Sequence, residues 1–91
     1  MDRTAVAVAL VQAAMAMETH PDVDPDAAVR GATLGHPRAR PGYGQPGTDL
    51  FDQVTATLRA ACQWPTAHID GIPRDQAITA AYAEAARLTA P

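Results

Sequence analysis

The sequence predicts an all-α fold: a small helical bundle of three longer helices plus one short helix, with a long Gly/Pro-rich loop, in a single domain over residues 1–91. Three observations predict it. Alanine makes up nearly half of the 47% hydrophobic content, and alanine is the best helix former and a poor strand former. Apolar residues recur at spacings of three and four through residues 48–63. Helix start signals stand at Asp24, Thr48 and Pro73, each ahead of a stretch able to bury one face. The expected helices are 4–18, 25–34, 48–63 and 73–89.

In the third of these, Leu50, Phe51, Val54, Leu58, Ala61 and Cys62 share one side, while Asp52, Gln53, Thr55, Arg59 and Gln63 share the other. Thr48 is the expected N-cap, Asp49 sits near the positive end of the dipole, and Pro65 is the expected stop. Burying Leu50, Phe51, Val54 and Leu58 gains roughly 1.5–3 kcal/mol each. Ordering each residue of the helix costs about 1–2 kcal/mol in backbone entropy, so this face needs a partner.

Residues 4–17 are apolar apart from Thr4 and Gln12. As a strand, Val6, Val8 and Leu10 would alternate with alanines. As a helix, Val6, Leu10, Ala13 or Ala14 and Met17 line one face and Val8, Val11 and Met15 another. Helix is favoured, since no second run reads as a pairing strand. The stretch is too short for a bilayer, which needs about 20 residues. Asp2 cancels Arg3 and Gln12 interrupts the run, which weakens a secretory signal even though 14–16 would pass as a cleavage site. No membrane partner and a cytoplasmic location are expected. A helix apolar on two faces belongs in the middle of a bundle or in a dimer seam. The small residues Ala5, Ala9, Ala13 and Ala16 mark the expected self-association stripe of a homodimer.

Asp24 before Pro25 starts the short helix, which runs through Ala28, Val29 and Ala32 to a stop at Gly35. Asp22, Asp24 and Asp26 resemble the opening of a calcium loop, yet the sixth position is Ala27 and the twelfth Thr33, where Gly and a bidentate Glu are needed. A capped acidic turn is the better reading. Residues 35–47 hold seven Gly or Pro in thirteen, and loops of this length in a small domain often carry contacts. His36, Arg38, Arg40 and Tyr43 are its candidate partner-binding residues; the plainer reading is a connector with Tyr43 packed on the core rim. Trp64, Ile69 and Ile72 are expected to fold back under the helices. In the last helix Ile78, Ala81, Tyr82, Ala85 and Leu88 form the expected buried stripe, with Ala80, Ala83 and Glu84 facing away.

The chemistry that composition excludes is broader than what it suggests. His20, His36 and His68 have no zinc-ligand spacing, no phosphate-binding Gly motif is present, and Ser is absent altogether. No cofactor, metal or catalytic residue is therefore assigned, and the chain is not expected to be an enzyme. Cys62 lies on the apolar face of its helix, where a small buried hydrophobe in a reducing compartment is the simple reading. With a net charge of −3 and a pI near 5.4, the phosphate attraction that drives nucleic-acid binding is missing outside the Arg38 and Arg40 loop. The last two helices are too widely connected for a helix-turn-helix. The all-Arg basic set, with no Lys, and the absence of Asn reflect nucleotide bias in the gene. What remains is protein association: an accessory subunit, adaptor, inhibitor or virus-encoded interaction protein with an unknown protein partner. The alternative is a nucleic-acid-associated accessory protein using the Arg38/Arg40 loop.

Overall fold

The computed structural model describes residues 2–42 and 44–90. Among the described residues there are four α-helices, one turn of 3-10 helix and no strand. In chain order these are α1 (Arg3–Thr19), α2 (Pro25–Leu34), α3 (Thr48–Ala61), the 3-10 turn at Ile69–Gly71, and α4 (Arg74–Thr89).

α1 packs most extensively on α4 and next on α2. α1 and α4 run antiparallel: Arg3 and Val6 lie beside Arg87 and Leu88 at one end, and Met17 and Glu18 lie beside Arg74 and Asp75 at the other. The residues sealed on these two helices are mostly alanine: Ala7, Ala9, Ala13 and Ala14 on α1, and Ala77, Ala81 and Ala85 on α4. Small side chains at a crossing let helix axes draw together. Leu10 and Met17 of α1 fill the interior on the side that meets Val29, Val54, Leu58 and Ile69, all six essentially without solvent contact. The thin supply of large side chains is thus concentrated in one place.

Two expected faces turn out differently. On α4 the sealed line is Ala77, Ala81 and Ala85, while Ile78 and Leu88 are half-buried and Tyr82 is 37% exposed. The stripe is rotated by one position because the alanines, not the larger residues, sit closest to α1. On α3, Phe51, Val54, Leu58 and Cys62 are buried as their spacing implies, but Ala61 is exposed and Leu50 half-buried. Ile69 and Ile72 are both buried, so the connection between α3 and α4 folds back onto the helices.

The helix ends show how local sequence sets these limits. Asp24 Oδ1 accepts from the Ala27 amide at 2.8 Å, with Pro25 opening α2 and Gly35 closing it in the left-handed region. Asp2, read from sequence only as a countercharge, caps α1 by accepting from the Thr4 amide at 3.0 Å. Thr48 is not a cap. Gly47 holds that position with φ of 87°, and the Thr48 hydroxyl instead donates to the Gly42 carbonyl at 2.9 Å and accepts from the Gly42 amide at 3.1 Å. α4 likewise begins at Arg74, one residue after Pro73.

α3 ends at Ala61 for a reason other than Pro65. The Gln63 amide donates to the Ala60 carbonyl at 3.1 Å and the Trp64 amide to the Arg59 carbonyl at 2.9 Å, the paired closure of a Schellman motif. Gln63 takes the left-handed position with φ of 52°. Arg59, on the polar side of the helix, is also engaged: its Nε donates to the Trp64 carbonyl and its Nη2 to the Pro65 carbonyl, both at 3.1 Å. Gln76 Nε2 reaches the Cys62 carbonyl at 3.3 Å, tying α4 to the same terminus.

A left-handed conformation costs an L-residue about 1–2 kcal/mol, while glycine adds about 0.4–1 kcal/mol of unfolded-state entropy to lose. Gln63→Gly is therefore expected to stabilise the chain by about 0.5–1 kcal/mol in urea unfolding. A loss of stability would mean that the Gln63 side chain, not its backbone, matters at this corner.

Candidate interaction surface

The loop between α2 and α3 is held from several sides. Arg30 of α2 is the main anchor: its Nε donates to Asp26 Oδ2 at 2.7 Å, its Nη1 donates to the Ala39 carbonyl at 2.7 Å, and its guanidinium carbon lies 5.1 Å from the centroid of the Phe51 ring. One side chain thus joins α2, the loop and α3. At the loop's exit, a Cβ on Gly47 would lie 2.3 Å from the Thr33 carbonyl oxygen, so glycine is needed there both for its positive φ and for its close approach to α2. With the Thr48 bonds to Gly42, these contacts tie the described parts of the loop to α2 and α3.

On this loop His36, Arg38 and Arg40 are exposed. His36 Nδ1 accepts from the Arg38 amide at 3.0 Å, which shapes the turn. Among the described residues neither the Arg38 nor the Arg40 guanidinium has a hydrogen-bond partner in the chain. Tyr43 lies outside the described residues. The acidic turn before α2 is partly used up internally, Asp24 as a cap and Asp26 as the partner of Arg30. Among the described residues no three His, Cys, Asp or Glu side chains converge as a metal-binding group. Burial pushes the Cys62 thiol above its ordinary pKa, which keeps it protonated and weakly nucleophilic near neutral pH.

The stripe Ala5, Ala9, Ala13 and Ala16 is placed differently from the sequence expectation. Ala9 and Ala13 are sealed inside the chain's own core, and Ala5 and Ala16 are half-buried. The reason is the packing of α1 against its neighbours, which takes the smallest face of the helix inward. What α1 leaves outside is its second apolar face: Val8 is 50% exposed, Met15 is 54% exposed, and Val11 is half-buried between them. That face could be seen in the sequence as the Val8, Val11, Met15 set, but which of the two faces would be covered could not.

Beside it lies a shallow groove of about 420 Å³ between α1 and α4, with Ala7, Val8 and Val11 on one side and Tyr82, Ala86 and Thr89 on the other. The α4 ridge of this groove, Thr79, Tyr82, Ala83, Ala86 and Thr89, is exposed and uncharged. α1 has no charged side chain from Thr4 to Met17. A larger hollow of about 730 Å³ opens over the start of α3, lined by loop backbone with Asp49 and Asp52. Its lining mixes apolar surface with polar groups, including two carboxylates, that docking would have to desolvate, whereas the α1–α4 groove is almost wholly apolar, so the α1–α4 face is the better docking surface.

Tyr82 closes one end of the groove, its hydroxyl donating to the Glu18 carboxylate across the two helices. That bond and the nearby negative charge hold the Tyr82 phenol above the ordinary tyrosine pKa, since ionisation would place two anions side by side. A raised pKa favours the neutral phenol in the fold, so this contribution is complete below the unfolded tyrosine value and is lost as pH rises through the folded one. Ultraviolet titration of the tyrosines is expected to show one group ionising later than free tyrosine. Glu18→Gln should bring it back toward the ordinary value and Tyr82→Phe should remove it; a late-ionising group that survives Tyr82→Phe would place the effect elsewhere.

Comparison with family models, with curated proteins and with solved structures finds no match to this chain in any of the three.

Proposed function

We propose that this chain is a protein–protein interaction module with no catalytic activity of its own, and that its contact surface is the outer face of α1 and α4. The observation that carries the reading is the uncharged pairing of exposed Val8 and Met15, with half-buried Val11 between them, and the exposed Tyr82, Ala83 and Ala86 ridge. Charge depletion at the centre of a patch, with aromatic and Met side chains present, is the compositional mark of an interface core. Among the described residues no helix is long and apolar enough to cross a membrane. A three-plus-one bundle that presents one face belongs to the same reading. So does a cytoplasmic setting, which suits a lone buried thiol.

A second reading rests on the Arg38 and Arg40 side chains, exposed on an anchored loop: a nucleic-acid-associated accessory protein. Two arginines neutralise about two phosphates, so binding would weaken with salt at a log–log slope of only about −2. In the first reading the loop residues His36, Arg38 and Arg40 act at the rim of a protein contact.

Val8 is half exposed, so Val8→Arg should leave the melting temperature nearly unchanged. Used as bait beside the wild-type chain in its native cell, with quantitative mass spectrometry, Val8→Arg is expected to lose the interaction that the wild type shows. The same associations for both baits, together with loss on Arg38→Ala/Arg40→Ala, would overturn the first reading in favour of the second.

A further inference from the structure

We infer that the occupant of the α1–α4 face is a second copy of the same chain, docked about a two-fold axis passing beside Val11. This rests on the proposed role of that face in association and goes beyond it by naming the partner. An isologous contact requires one patch to carry both halves of the fit. This patch does: Met15 is a long, flexible, 54% exposed side chain, and the groove beside Val8 is an open trough floored by Ala7 and Ala85.

The register follows from helix geometry. With two α1 helices antiparallel across an axis at Val11, Met15 of each copy meets Ala7 of the other, at the mouth of the groove. Val11 then meets Val11, and Val8 of each copy flanks Met15 of the other. In the same register Glu18 of one copy faces Thr4 of the other and so lies next to its Arg3. Arg3 and Glu18 are the charged residues that bound the uncharged run of α1, one of each sign. An antiparallel pairing puts unlike charges together at both ends, whereas a parallel one would put like charges together. The sealed stripe Ala9 and Ala13 plays no part in this contact.

The size of the face sets how tight the dimer is. α1 is 17 residues long, or roughly 25 Å at 1.5 Å per residue, and two helices side by side span about 20 Å. Each copy therefore contributes on the order of 500 Å², so the total lies near the lower bound of about 1,000 Å² for a specific interface. The dimer belongs to the weak, concentration-dependent class.

Sedimentation equilibrium of the full chain from about 10 to about 500 micromolar tests this. The expected mass rises from the 9.5 kDa monomer toward twice that value. Met15→Ala should weaken the dimer by roughly tenfold or more, and Val8→Arg should leave a monomer throughout, each with an unchanged circular dichroism spectrum and melting temperature. Arg3→Glu should weaken it and Arg3→Glu/Glu18→Arg should restore it. A wild-type monomer at every concentration, or a dimer indifferent to Val8→Arg and Met15→Ala, overturns the inference. A monomer that still loses a cellular partner on Val8→Arg overturns the second-copy assignment while leaving the proposed association role standing; a monomer with no partner at this face sinks both.

Discussion

The packing of α1 on α4 through alanine is the constraint on which the rest of the structure depends. Ala7 and Ala14, two turns apart on one side of α1, and Ala77, Ala81 and Ala85 on α4 leave little side-chain volume where the two helices meet. Turning the alanines of α1 inward forces its second apolar face outward. The same packing rotates α4 so that Ala77 lies inside and Tyr82 lies at the edge. The exposed face of Val8, Met15 and Tyr82 is thus a direct consequence of how the core is filled.

A core built this way relies on a few large residues elsewhere. Leu10, Met17, Val29, Val54, Leu58 and Ile69 are the largest fully buried side chains, contributed by α1, α2, α3 and the connection before α4. Around them the chain uses single polar side chains as ties between elements. Arg30 links α2 to the loop and to Phe51, Gln76 links α4 to the end of α3, and Arg74 Nη2 donates to the Val23 carbonyl at 2.9 Å, linking α4 to the turn before α2. Each hydrogen bond to a charged group is worth about 1.5–3 kcal/mol at most when shielded, so these ties orient elements that apolar burial brings together.

The sequence made the helices legible because their signals are local. Alanine content, the Asp24–Pro25 start, Gly35 and the periodicity of Leu58 and its neighbours place four helices to within a few residues of their observed ends. Features set by tertiary contact were not legible. Thr48 looks like a cap, but Gly47 can approach the Thr33 carbonyl so closely that it takes that position and frees the Thr48 hydroxyl for Gly42. Pro65 looks like the stop of α3, but Gln63 adopts a left-handed turn that residue preferences disfavour. The candidate surface was half legible. Val8, Val11 and Met15 could be grouped as a face, whereas choosing between them and the alanine stripe requires knowing that α4 supplies alanines of its own.

Urea unfolding of Ala81→Leu beside Ala83→Leu, at low micromolar concentration, tests the alanine seam most directly. Ala81 has no solvent contact and Ala83 is exposed two positions on. If the seam is closely packed, Ala81→Leu loses about 1–3 kcal/mol to overpacking, while Ala83→Leu stays within about 0.5 kcal/mol of the wild type. Equal effects at the two positions, or a more stable Ala81→Leu chain, would contradict the seam and reveal unfilled space between α1 and α4.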